Sequence, residues 1–254
     1  MTKDKMYGFP ISSVFFQIFG FIFLLLILFL TFILDSLIGS SIVFFFILIF
    51  WYIFVFHFKQ RFSTLRNKIL QSMISLADLN GSEKILDLGT GAGYVAIGFS
   101  KVVNSGLVVG VDKFDQTTSI LGSNFFEELK INFFGNSLNQ AKKNAYIEKQ
   151  SNQIMFVKSD LKHFFPFSDE SFHVILSSQF LYCIPTKKRD RVLAEINRVL
   201  KPEGKLIFFE SKKYVNWDIA HVEQYFNKLN YETKIHSIYY MNNKCIFYGY
   251  KKNS

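Results

Sequence analysis

From Val14 to Phe56 the chain carries a single charged side chain, Asp35. Two apolar runs fill this stretch, "VFFQIFGFIFLLLILFLTFIL" (Val14–Leu34) and "IGSSIVFFFILIFWYIFVF" (Ile38–Phe56). A helix rises 1.5 Å per residue, so about twenty apolar residues cross a hydrocarbon core of roughly 30 Å. Each run is long enough, and the joint of Asp35, Ser36 and Leu37 forces two such helices into a hairpin. Trp51 and Tyr52 suit one membrane interface. A secretory signal has a shorter apolar region, about 7–15 residues, ending at a small-residue cleavage site. Neither trait is present here.

Lys3 and Lys5 precede the first run, Lys59, Arg61, Arg66 and Lys68 follow the second, and the joint has no basic residue. Positive charge stays on the cytoplasmic side. The expected arrangement is a two-span anchor over residues 1–60, with both ends and a domain over residues 61–254 in the cytoplasm. The formal net charge of +9 is compatible with nucleic acid and with an anionic membrane face. The apolar runs favour the membrane, so membrane lipids are the expected partner and nucleic acid is not. Two Cys make no disulfide framework, and Cys183 and Cys245, both in apolar runs, read as reduced core residues. The five His show no ligand spacing, so no metal is expected.

Beyond the anchor, Phe62, Leu65, Ile69, Met73, Leu76 and Leu79 recur at helical spacing, and Asn80–Gly81 supplies a stop. Short apolar runs then alternate with helical patterns. The predicted strands are 84–88, 107–111, 154–157, 173–177 and 205–209, with helices near 94–103, 138–148 and 188–200. That alternation predicts a parallel, doubly wound sheet. Two alternating runs around Asn242 and Asn243 predict a closing hairpin. Ser137 and Gln140 form S-x-x-Q, a helix cap.

The first strand runs directly into "DLGTGAG", Asp87 to Gly93. In an open α/β sheet ligands lie where loops leave the carboxyl ends of strands. Glycines there allow positive φ and close approach, and the following helix start favours an anionic group. A dinucleotide site has G-x-G-x-x-G; the spacing here is G-x-G-x-G with an acid two residues before the first Gly.

This pattern resembles the opening motif of class I S-adenosylmethionine-dependent methyltransferases. "LVVGVDKF", which ends the second strand on Asp112, strengthens the likeness, since a carboxylate there can accept from both ribose hydroxyls. "IMFVKSDLKHFFPFSDESFHVILSS" is similar to the family's third and fourth strands, and "RDRVLAEINRVLKPEGKLIFFE" to its late helix, turn and fifth strand, with Pro202 and Gly204 in the turn. The likeness covers roughly residues 65 to 250 and is greatest to the type-11 group.

It implies a doubly wound, seven-stranded Rossmann-like sheet in the order 3-2-1-4-5-7-6, with a C-terminal antiparallel hairpin. It also implies S-adenosyl-L-methionine as cofactor, held by Asp87, Gly89, Thr90, Gly91, Gly93, Asp112, Lys113, Asp160, Leu161 and Ser177. A small-molecule or lipid acceptor would lie near Tyr182 and Cys183, which read more readily as pocket wall than as chemical groups. His173 stands where the family usually has Asp and reads as local packing. His163 and Glu210 are further titratable candidates, and no residue is assigned as catalytic. The long stretch 113–135 reads either as a lid over the acceptor or as simple helical packing. A non-catalytic cofactor-binding membrane protein, or a protein or nucleic-acid methyltransferase, are the alternatives.

Overall fold

The computed structural model describes residues 61, 63–114, 137–214, 216–239 and 241–253, with positions 20, 22, 25, 29, 45, 48, 49 and 52 of the N-terminal region. The chain divides into two compact units, Phe9–Lys68 and a second formed by Ile69–Ser254 with Met1–Gly8. The two predicted spans therefore lie almost wholly outside the described residues. The described positions between 20 and 52 are helical, and among the described residues no helix is long and apolar enough to cross a membrane. Most of stretch 113–135 also lies outside them.

The second unit is built on a sheet of seven strands. Five are parallel: β1 (Lys84–Leu88), β2 (Leu107–Asp112), β3 (Ile154–Lys158), β4 (Phe172–Ser178) and β5 (Leu200–Ser211). A small ribbon, β6 (Lys213–Tyr214) with β7 (Trp217–Asp218), stands apart from the sheet. Strands β8 (Tyr231–Ser237) and β9 (Lys244–Lys251) close the chain as the expected antiparallel hairpin. The order is β3-β2-β1-β4-β5-β9-β8. With the ribbon set aside, this is the predicted 3-2-1-4-5-7-6, and β9 pairs antiparallel to β5.

Strands covered on both faces read as unbroken apolar runs, and β1 and β2 are buried along nearly their whole length. Leu86, Leu88, Val109, Val111, Leu206 and Phe208 point into one core. Helices α4 (Thr186–Val199) and α5 (Ile219–Asn227) roof it with Val192, Leu193, Ile196, Val222 and Phe226. Helix α2 (Tyr94–Ser100), expected near 94–103, is buried from Val95 onward. Helix α3 (Leu138–Ile147) begins at Ser137, whose side chain accepts from the Gln140 amide at 3.0 Å, as the S-x-x-Q spacing requires.

Two sequence expectations shift by a few residues and one is overturned. The first helix, α1 (63–77), buries Ile69, Leu70, Met73 and Ala77, while Leu76 and Leu79 are only half-buried. It stops before Asn80–Gly81, at Asp78, which takes φ 45°. Lys205 Nζ donates to the Ala77 and Asp78 carbonyls at 2.7 and 3.1 Å, so a cation satisfies the helix end. The turn at Pro202–Gly204 is absorbed into β5, where Glu203 has φ 60° and the pairing with β4 shifts register after Phe172. Cys245 is buried, but Cys183 is exposed, because the chain has already left the sheet there. It is not a core residue.

Candidate active site

β1 delivers Asp87 and Leu88 between Gly110 and Val111 of β2 and Leu176 and Ser177 of β4. The chain then bends through Gly89, Gly91 and Gly93 at φ 69°, 54° and 83°, all in the left-handed region where a Cβ is penalised. The Gly89 and Thr90 amides both donate to the Val111 carbonyl, at 2.8 and 3.0 Å, and pin the bend to the end of β2. Gly93 is the N-cap of α2 and has no side chain to satisfy that helix start.

The protein's own side chains fill some of the space the glycines leave. A Cβ at Gly89 would stand 2.5 Å from Phe180 Cδ2, and one at Gly93 would stand 2.9 Å from Phe156 Cζ. At Gly110, which no motif singled out, a Cβ would meet Thr90 Oγ1 at 2.7 Å. The glycines thus serve internal packing as well as any ligand.

Asp112 reaches back under the bend. Its Oδ2 accepts from the Gly91 amide at 2.9 Å and its Oδ1 from the Phe114 amide at 3.1 Å. A carboxylate oxygen has two lone pairs, so each keeps one for a further donor. Lys113 follows with its side chain exposed.

Asp87 faces the start of α2 and is buried. Burial pushes its pKa up to about 7, against smaller downward pulls from the Thr90 side chain and the Ala96 amide and a small upward push from Asp112. Thr90 Oγ1 is near, yet neither it nor Asp87 Oδ2 has a hydrogen-bond partner of good geometry among the described residues. Two buried polar atoms directly below a ligand-type bend are costly unless something satisfies them.

The other predicted residues divide. Asp160 opens the turn after β3, accepting from the Lys162 amide at 3.0 Å, with His163 Nε2 at 3.8 Å. Leu161 is core. Ser177 is brought to the bend but donates its hydroxyl to Glu210 Oε1 at 2.8 Å. The same oxygen accepts from the Phe180 and Leu181 amides, at 3.0 and 2.9 Å. Glu210 thereby holds the 3-10 turn Leu181–Cys183 that places Phe180 over Gly89. Burial raises its pKa to about 7 in spite of these bonds, and Oε2 has no partner among the described residues.

His173 is a packing residue, as expected. Its Nδ1 accepts from the Lys84 amide at 2.9 Å and Nε2 lies 3.0 Å from Lys201 Nζ, at the strand ends opposite the bend. Burial and Lys201 hold its pKa below the ordinary value. His163 lies 3.0 Å from Lys188 Nζ on the surface. Asn144, which sequence reasoning missed, is buried in α3 and donates to the Ala92 carbonyl at 2.9 Å, fastening that helix to the glycine bend. Tyr182 is half-buried, packs edge-on against Tyr214 with centroids 5.3 Å apart, and burial raises its pKa well above that of free tyrosine. Among the described residues no group of His, Cys, Asp and Glu could hold a metal ion.

Residues 86–208 match the family model described as "Methyltransferase domain", of the type-11 group. This stretch is similar to a methyltransferase domain. The Ubiquinone/menaquinone biosynthesis C-methyltransferase UbiE of Blochmanniella floridana is 29% identical over 141 residues, covering 55% of this chain and 46% of the relative. The demethylmenaquinone methyltransferase of Lactobacillus johnsonii is 29% identical over 161 residues, covering 58% and 57%. The chain spans between 4% and 57% of the length of the curated relatives it matches. A solved SAM-dependent methyltransferase from Aquifex aeolicus superposes with a TM-score of 0.53 at 17% identity, over 71% of this chain and 87% of that one, and so shares the fold.

Proposed function

We propose that the chain is a membrane-anchored, S-adenosylmethionine-dependent methyltransferase acting on a small or lipid-like acceptor. The observation that carries this reading is the convergence of Asp87 and Asp112 on one glycine bend, with spare acceptor capacity on both. The residues present fit the cofactor. Asp112 keeps a lone pair on each oxygen for vicinal hydroxyls, Asp87 Oδ2 and Thr90 Oγ1 offer buried acceptors for a cationic amine, and Asp160 stands at the neighbouring strand end.

The cofactor supplies a methyl group on a positively charged sulfur, an already activated donor. The chain's residues therefore need mainly to align and to exclude water. Orientation of this kind contributes roughly 7–11 kcal/mol. Phe180, held over Gly89 by the Glu210-anchored turn, lays an apolar ring against the donor side of the site. A general base is needed only if the acceptor must lose a proton during transfer.

The anchor rests on the apolar runs 14–34 and 38–56. The described helical positions within them, Ile22, Phe29, Phe45 and Tyr52 among others, are exposed large side chains, as lipid-facing positions are. The two relatives with quinone-related names favour a lipid-like acceptor. Isolated membranes containing the full chain, incubated with methyl-labelled cofactor, test the reading. Label should enter the organic extract; label confined to protein or aqueous fractions would count against a lipid acceptor, and no label anywhere against transfer itself.

A further inference from the structure

β4 and β5 end side by side, and the chain leaves each of them at the mouth of the cofactor bend. There Gln179 takes φ 57°, a conformation unusual for a residue with a Cβ, while its amide and side-chain amide both donate to the Phe209 carbonyl, at 2.8 and 3.3 Å. Its side-chain oxygen Oε1 is thereby turned toward Lys244, the first residue of β9, whose Nζ donates to it. Lys244 Nζ also donates to Ser211 Oγ at 2.7 Å and lies 5.8 Å from the centre of the Tyr182 ring. An ammonium has three donors, and its hydrogen bonds to described residues use two of them.

The surroundings are aromatic. Tyr182 and the 54%-exposed Tyr214 form an edge-to-face pair beside this ammonium, so the corner is open to solvent on one side. It also adjoins the donor: Gln179 is followed by Phe180, which packs on Gly89. The titratable groups facing Lys244 are Glu210 from β5, Tyr182 and Cys183 from the 3-10 turn and its own neighbour Cys245. Burial lowers the Lys244 pKa from its ordinary value, and Glu210 opposes this. Burial holds the Glu210 carboxyl above the ordinary carboxylate range, which weakens its pairing with the ammonium.

We infer that Lys244, with Tyr182 and Tyr214, forms an acceptor subsite for an aromatic compound bearing an acidic hydroxyl, bound as its oxyanion. The third N–H of Lys244 meets the oxyanion and the tyrosines take the ring. The inference rests on the methyltransferase reading and names the substrate class for that same site. An acceptor that binds ionised has already released its proton to solvent, so this subsite needs no general base.

The test uses the full chain in detergent with saturating S-adenosylhomocysteine, titrated with p-nitrophenol and followed by the absorbance of the nitrophenolate. Wild-type protein should raise the ionised fraction of the probe on binding, and p-nitroanisole, which cannot ionise, should compete poorly. Lys244→Gln should weaken nitrophenolate binding about tenfold to a hundredfold and abolish the absorbance change, the scale of one charge-assisted hydrogen bond. Lys244→Arg should retain most of both. Equal nitrophenolate binding by Lys244→Gln, or equal competition by p-nitroanisole, overturns the subsite. If Lys244→Gln also loses S-adenosylhomocysteine, the anisole competition in wild type decides. Wild-type protein that fails to bind S-adenosylhomocysteine refutes the underlying reading instead, and the subsite with it.

Discussion

Replacing Gly89 with alanine separates two reasons for a glycine that sequence alone merges. At φ 69° an alanine pays roughly 1–2 kcal/mol for the left-handed conformation. Its Cβ would also lie 2.5 Å from Phe180 Cδ2 and Cγ and 2.6 Å from Cβ, so it meets the base of that ring rather than a flexible tip. Overpacking of this kind costs about 1–3 kcal/mol. The sum, about 2–5 kcal/mol, corresponds to a fall in melting temperature of roughly 4–20 °C for a domain of this size.

Thermal unfolding, read from the fluorescence of buried Trp217, measures it. Gly89→Ala, Phe180→Ala and the double variant complete a cycle. The backbone part should persist in the double variant, whereas the steric part should vanish, giving a coupling of about 1–3 kcal/mol. Additivity within roughly 0.5 kcal/mol would refute the claim that Phe180 occupies the space above Gly89.

Two further outcomes follow from the buried acids and the cap. Glu210 has a folded pKa of about 7 against 4.5 for the free group, so the folded state binds more protons between those values and stability falls as pH rises through that window. The full effect is on the order of 3 kcal/mol. Glu210→Gln should therefore gain stability relative to wild type between pH 5 and pH 8; an unchanged difference in melting temperature across that range would contradict the burial argument. Ser137→Ala removes the acceptor for the Gln140 amide and should cost about 1 kcal/mol in the same unfolding assay, with cofactor binding retained. A loss of binding without a loss of stability would instead assign Ser137 to the site.

What could be read from the sequence was local. The glycine spacing, the acid ending β2, the cap at Ser137 and the alternation of strands and helices all lie within short windows, and the strand order came with the family resemblance. What escaped depends on residues far apart in the chain. Ser177 donates to Glu210, thirty-three positions away, Asn144 holds Ala92 across fifty-two, and Lys244 meets Gln179 across sixty-five. Only the packing of β5 beside β4, of α3 onto the bend, and of β9 beside β5 creates those pairs. Ser177 looked available for a ligand because its neighbour in space is remote in sequence. Glu210 looked like an ordinary strand-end acid for the same reason.

Cofactor binding depends on Asp112 holding the Gly91 amide and a ribose together. Calorimetric titration of the full chain in detergent with S-adenosylhomocysteine, beside Asp112→Ala, tests this most directly. The prediction is one site with a dissociation constant in roughly the micromolar range, near −8 kcal/mol, and no measurable heat of binding in the variant. Wild-type protein that stays silent at saturating ligand, or a variant that binds as tightly as wild type, would contradict it.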